Sequence, residues 1–315
     1  MKQELLGPSC SILTALVWGF AVVLFKPSGE RIPPMVLNLF KTTVGLVLLA
    51  VTLVVTGDGY ESIRHFPRAD IYILFISGII GITVADTIFF HSLNLVGVGI
   101  SAIVDCMYSP LIILCSWVML AERVTVSTLA GAGLILTGVL VASSIAPPRN
   151  RTRGQIVLGV FLGAVSMAMM AYGILLAKLV FDNDQFPLMW AATLRMAAGT
   201  VLLALLMAAS PRRREHYAVF RPSAVWKLAV PASVLGAYIS MILWVAGFKY
   251  TPAASVAGIL NQTSTIFAII LATVFLKERF TVRKLVAVVL ALGGVVLVTV
   301  PPKWELLRVA VPAMP

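Results

Sequence analysis

Three ionisable residues, Lys41, Asp86 and Asp105, stand inside long apolar runs of this chain. At the centre of a membrane helix a charge costs about 2.5–3.5 kcal/mol on insertion scales, so each needs a partner or a task. Lys41 lies about eight residues from one end of its run, ~12 Å at 1.5 Å per residue. Asp86 is near the corresponding end of the next run, and Asp105 is about one-third into the run after that. All three therefore fall in the same third of the layer, where a base between two carboxylates is roughly charge-compensated. Two chemistries fit. One is a solute or proton site with Asp86 and Asp105 as proton-coupling candidates; the other is a static ion-pair cluster tying helices together.

Spacing favours a site at Asp105. Ser101, Asp105 and Tyr108 recur at i, i+4 and i+7, one polar stripe on an otherwise apolar helix. Asn261 takes the equivalent place 156 positions on, followed by Gln262, Thr263, Ser264 and Thr265. Two matching polar stretches suit a central cavity better than a lipid-facing surface. Asn38, Lys41, Thr42 and Gly45 form a further stripe that lipid cannot satisfy, so it must face the protein interior. Arg195 is the counterpart of Lys41 from the opposite side, which permits a structural role, solute binding or paired gating. Trp18, Phe89, Phe90, Tyr108, Tyr172, Trp190, Tyr238 and Trp244 could wall a pocket or stack on a cationic or ring-bearing solute. Trp18 and Tyr238 rank first; packing or interfacial anchoring is the alternative for each.

Other chemistries lack their residues. His65, His91 and His216 are scattered, and the chain carries no paired-histidine metal motif and no phosphate-cradling loop. No enzyme activity, cofactor or metal is expected. Met167, Met169 and Met170 read as adaptable packing. Cys106 and Cys115 share one helix, ~13 Å apart by rise, too far for a disulfide. No apolar stretch of signal length precedes Cys10, so the first helix is expected to stay in the mature protein.

The elements that position these residues must be membrane helices. Hydrophobic residues make up 60% of the chain and charged residues 12%, outside the soluble range. The apolar runs are too long for strands and do not alternate, against a β-barrel. Ten runs can be marked, near 9–26, 33–56, 70–91, 97–120, 127–146, 155–180, 186–209, 226–247, 252–276 and 282–300. Prolines at 27, 33, 34, 67, 147, 148, 187, 211, 222, 301 and 302 punctuate the gaps. The net charge of +11 sits mainly in those gaps, at Arg149, Arg151 and Arg153, at Arg212–Arg214, and at Arg283-Lys284. That is the topogenic pattern of cytoplasmic loops; no soluble segment is long enough to bind nucleic acid.

The runs also repeat. Leu120-Ala-Glu122-Arg123-Val-Thr125-Val126 returns 156 positions later as Leu276-Lys-Glu278-Arg279-Phe-Thr281-Val282, with Gly138 and Gly294 at equal spacing beyond. Lys26 matches Lys178, Lys41 matches Arg195, and Gly81 matches Gly236. An odd number of crossings per copy sends the second copy in from the opposite face, so the expected architecture is an all-α integral membrane protein of ten helices in two inverted-topology repeats of five. The expected domains are a first repeat at 1–146, a basic linker at 147–154, a second repeat at 155–300 and a short tail at 301–315. Because the repeat puts Glu122 and Glu278 on opposite faces, they cannot share an active site; helix capping suits them better.

This pattern resembles the drug/metabolite transporter superfamily, in particular its ten-helix EamA-type members. The resemblance covers about Ser9 to Val300 and is carried by Trp18-Gly19, by Lys41 and Arg195, and by the Glu122-Arg123 and Glu278-Arg279 corners. Lys41 stands where an arginine is common, and Met170-Ala171 replaces the Trp-Gly pair in the second half. The resemblance implies a secondary transporter in the cell membrane, working by alternating access with proton coupling or exchange. Amino-acid or related metabolite export is the leading expectation, with Trp18, Asn38, Lys41, Asp86, Ser101, Asp105, Tyr108, Arg195, Tyr238, Asn261 and Gln262 as candidate solute-binding residues. Import of a cationic solute such as a quaternary amine, a flippase for a lipid or lipid-linked headgroup, and a non-transporting scaffold are the alternatives. The expected partners are a small-molecule solute and membrane lipids, with the protein a monomer or homodimer. Loop charge places both termini outside the cell, whereas the resemblance places them inside.

Overall fold

The structure, a computed structural model, describes residues 2–57, 59–120, 126–143, 151–181, 186–251, 254–277 and 280–299. Among these, every regular element is helical. The Glu122-Arg123 and Glu278-Arg279 corners and the tail 301–315 lie outside the described residues.

Helix α1 (Lys2–Gly29) is followed by α2 (Pro34–Thr56), bounded by Pro33 and by a left-handed Gly57 whose N–H returns to the last turn. Next, α3 (Arg68–Gly78) continues through a π-helical stretch, Ile79–Ala85, into α4 (Asp86–Asp105). A continuous rod of these 38 residues would measure ~57 Å, nearly twice the ~30 Å hydrocarbon layer. Gly97 breaks it. Its backbone at φ 78°, ψ 172° is one that only glycine adopts readily.

A second interruption at Cys106-Met107 precedes α5 (Tyr108–Leu120), and α6 (Val126–Ser143) follows. Further along come α7 (Arg153–Phe181), α8 (Leu188–Ala209), the short α9 (Arg213–Tyr217) and α10 (Trp226–Ser233). A second π-helical stretch, Val234–Ile239, leads into α11 (Ser240–Tyr250), then α12 (Ala254–Asn261), α13 (Ser264–Phe275) and α14 (Val282–Thr299). Among the described residues, six helical runs are long and apolar enough to cross a membrane, with Arg68–Asp105 counted as one. Over the described residues the protein is all-α, with apolar helices of membrane-spanning length.

Its irregularities come in pairs. The π-helical stretches begin at Ile79 and Val234, 155 residues apart, and the interruption at Cys106-Met107 returns at Gln262-Thr263, 156 residues on. Packing is paired too. The Lys26 ammonium donates to the Leu93 and Asn94 carbonyls, and its counterpart Lys178 donates to those of Phe248 and Thr251. Each π-helical stretch lies against the second helix of the other half. Thr83 donates to the Gly199 carbonyl at 2.9 Å, while Tyr238 shares a 2.7 Å hydrogen bond with Thr52. The same contacts run through Gly45 on Ala237 and Gly199 on Ile82, so close that a Cβ would sit 2.6 and 2.8 Å from its neighbour. Small residues let membrane helices approach in this way.

Candidate functional site

A cavity of about 120 Å³ lies where these contacts converge, with walls from both halves of the sequence. Of the residues singled out from sequence, Trp18, Lys41, Asp86, Asp105, Tyr108, Arg195, Asn261 and Gln262 all line it. Asn38, Ser101 and Tyr238 are not among the lining residues. The buried Asn38 amide instead donates to the Ile82 carbonyl at 2.7 Å and to Thr87 at 3.0 Å, fixing α2 to the first π-helical stretch. Ser101 is buried in α4, and Tyr238 spends its hydroxyl on Thr52.

The charged residues divide into two kinds. Lys41 and Asp86 are both buried and form a direct ion pair, with the ammonium 5.3 Å from the Phe90 ring centroid. Such a pair holds together because removing either partner strands the other charge in an apolar interior. Arg195 is different. It is 1% exposed, its guanidinium carbon lies 5.1 Å from the Trp244 ring centroid, and its Nε and Nη1 have no hydrogen-bond partner. Asp105 Oδ1, the Tyr108 hydroxyl, both side-chain polar atoms of Asn261 and Gln262 Oε1 are likewise buried without a partner.

Buried polar atoms are satisfied in the great majority of cases. A group of them around one cavity can bind a solute or water that presents matching donors and acceptors. Local structure explains their placement. Asp105 is the last residue of α4 and Tyr108 the first of α5; Asn261 ends α12 just ahead of the Gln262-Thr263 interruption. The interruptions are fastened to each other, since Thr265 donates to the Ala102 carbonyl at 2.9 Å and lies 3.4 Å from the Cys106 sulfur. Discontinuous helices of this kind put polar side chains and unpaired backbone ends at a solute site inside a membrane.

Sequence reasoning missed part of the wall. Thr14, Met196, Ser240 and Met241 line the cavity, as do Met167 and Met170, read from sequence as packing. One signal was available: Thr14 precedes Trp18 by four positions, which puts both on one helix face. Phe89 and Trp244, two of the aromatic candidates, line the wall as well; Phe90 lies behind it, beneath Lys41.

The model of the EamA-like transporter family matches residues 5–144 and matches again at 157–300. The chain belongs to the EamA-like transporter family. This EamA-like protein is 21% identical over 299 residues to an uncharacterized transporter of Archaeoglobus fulgidus, covering 93% of this chain and 97% of that one. It is 22% identical over 305 residues to the uncharacterized transporter YetK of Bacillus subtilis, covering 96% and 90%. A solved crystal structure aligns over 93% of this chain and 96% of its own with a TM-score of 0.66 at 18% identity, which speaks to a shared fold. Family and relatives together make the EamA-like protein a membrane transporter.

Proposed function

We propose that the protein is a secondary active transporter of small organic metabolites in the cell membrane, with export of amino acids or related compounds the leading case. The observation that carries this reading is the cavity: both halves of the sequence wall it, and buried polar side chains without partners face it. Its eight lining candidates from Trp18 to Gln262 would contact solute, with Asn38, Ser101 and Tyr238 positioning them. The mechanism we infer is alternating access, in which two five-helix repeats of inverted topology rock about the cavity. The paired π-helical stretches, the paired interruptions and the reciprocal contacts support that architecture. Ten crossings follow if Gly97 separates two of them, if the end of α4 with α5 makes one, and if α12 with α13 makes another.

A cationic solute is the other reading with an observation behind it, since Asp105 and Trp18 share the cavity wall. Arg195 counts against it. That residue adds a positive charge to the same wall and lies over the Trp244 ring, a surface that an organic cation would otherwise use.

Counterflow in proteoliposomes tests the proposal. Vesicles loaded with a mixture of unlabelled amino acids and related metabolites should accumulate labelled solute transiently, and Arg195→Gln should abolish it. Equal uptake by protein-free vesicles would refute transport through this cavity.

A further inference from the structure

Given the transporter reading, on which this rests, we propose that the cavity takes a small amphiphilic carboxylate held at Arg195, and that Asp105 takes up a proton as the carboxylate enters. Four charged side chains line the wall: Lys41, Asp86, Asp105 and Arg195. Lys41 and Asp86 cancel in their own ion pair. Arg195 and Asp105 form no ion pair with each other, and each keeps a buried polar atom without a hydrogen-bond partner. They remain the two charges available to a solute.

Arg195 selects the headgroup. A guanidinium is a planar fork that matches a carboxylate through two parallel hydrogen bonds. Nε and Nη1 are both unengaged, and either can join Nη2 in such a fork; Trp244 supports the guanidinium's flank. The Tyr108 hydroxyl and the Asn261 amide add neutral donors to the same wall. The rest of the wall asks for an apolar body. Met167, Met170, Met196 and Met241 are flexible, polarisable surfaces that accommodate varied shapes.

Charge balance then assigns the proton. With Asp105 ionised the four wall charges sum to zero, and a carboxylate would make the sum negative in a site little screened by water. Protonating Asp105 restores neutrality. Among the described residues, the titratable or charged groups on this wall are Lys41 from α2, Asp86 from α4, Tyr108 from α5 and Arg195 from α8, with Cys106 adjacent in sequence. Helices α1, α7, α11, α12 and α13 present Thr14 and Trp18, methionines, Ser240 with Trp244, Asn261 and Ser264. Asp86 is engaged by Lys41, which leaves Asp105 as the carboxylate able to change its charge. A zwitterion would enter without a proton. A free amine would meet the positive charge of Arg195.

Three compounds with one ring and one chain length separate these cases: 3-phenylpropanoate, phenylalanine and phenethylamine. Titration calorimetry of the purified full chain, repeated in buffers of different ionisation enthalpy, gives affinity and protons taken up together. The expected order has 3-phenylpropanoate at least about tenfold tighter than phenethylamine, with one proton taken up per 3-phenylpropanoate bound and none per phenylalanine. Asp105→Asn should bind 3-phenylpropanoate with no proton uptake, and Arg195→Lys should weaken it by about tenfold or more. The wild-type proton count stands without either variant, should one fail to fold. Binding of 3-phenylpropanoate with no proton uptake, phenethylamine as the tightest ligand, or no binding by any of the three overturns the proposal. Counterflow keeps the two readings apart: phenethylamine exchange would leave the protein a transporter and remove the carboxylate, whereas carboxylate binding with no exchange of any solute would do the reverse.

Discussion

Lys41 and Tyr238 show two ways in which a polar group inside an apolar helix is satisfied. Lys41 was legible from sequence as a base needing an acid, and the acid it meets is Asp86 on a different helix. Replacing Lys41 with Met or Asp86 with Leu alone should cost about 3–5 kcal/mol, because a buried charge loses its partner, while the double replacement should cost much less. Thermal unfolding of the four proteins in one detergent measures this as a double-mutant cycle; additive losses would contradict a direct pair. The tyrosines divide on what their hydroxyls touch. Tyr238 bonds Thr52, so Tyr238→Phe should lower stability by about 0.5–1.5 kcal/mol and change solute affinity less than Tyr108→Phe does. The Tyr108 hydroxyl faces the cavity without a partner, so Tyr108→Phe should alter solute affinity with little loss of stability. Affinity and melting measured on both variants check the contrast. Sequence periodicity places each tyrosine on an inward face but cannot distinguish a neighbouring helix from a cavity on that face.

At the scale of elements, helix starts were readable where prolines mark them, as at Pro33 and Pro187. The features that shape the cavity were not. Neither Cys106-Met107 nor Gln262-Thr263 carries a proline or glycine; these interruptions are held by tertiary contacts such as Thr265 to Ala102. The π-helical stretches have no compositional mark of their own either, although Gly81 and Gly236 within them already matched as a pair. Gly78 reveals how tightly these elements are set. A Cβ there would lie 2.1 Å from the Arg195 carbonyl oxygen, against backbone that cannot rotate away. Gly78→Ala should therefore force α3 from α8, cost about 1–3 kcal/mol and weaken solute binding by displacing Arg195. Gly133 on α6 meets nothing within 4 Å. Gly133→Ala should be neutral or stabilising by up to about 1 kcal/mol, as expected of an exposed helical glycine. Melting temperatures of the two variants, side by side, separate close helix packing from a general intolerance of alanine.

For the whole molecule, the duplication makes a claim that no single contact can test. If each half crosses the membrane an odd number of times, equivalent loops must open on opposite faces. The segment after α2 and the segment after α8 are such a pair, and both are accessible: Glu61 and Glu215 are exposed. In a variant with Cys10, Cys106 and Cys115 replaced, a cysteine at position 61 and one at position 215 should differ in reaction with a membrane-impermeant maleimide. One should label in intact cells and the other only after permeabilisation. The same pair decides orientation. The arginines at 212–214 beside Glu215 place that loop in the cytoplasm by the positive-inside rule, so position 61 should be the one that labels from outside. Labelling of position 215 in intact cells would reverse the orientation and still leave the halves inverted. Labelling of both from one side would mean an even number of crossings per half, and the reciprocal packing of α2 and α8 on the π-helical stretches would then need a different symmetry to explain it.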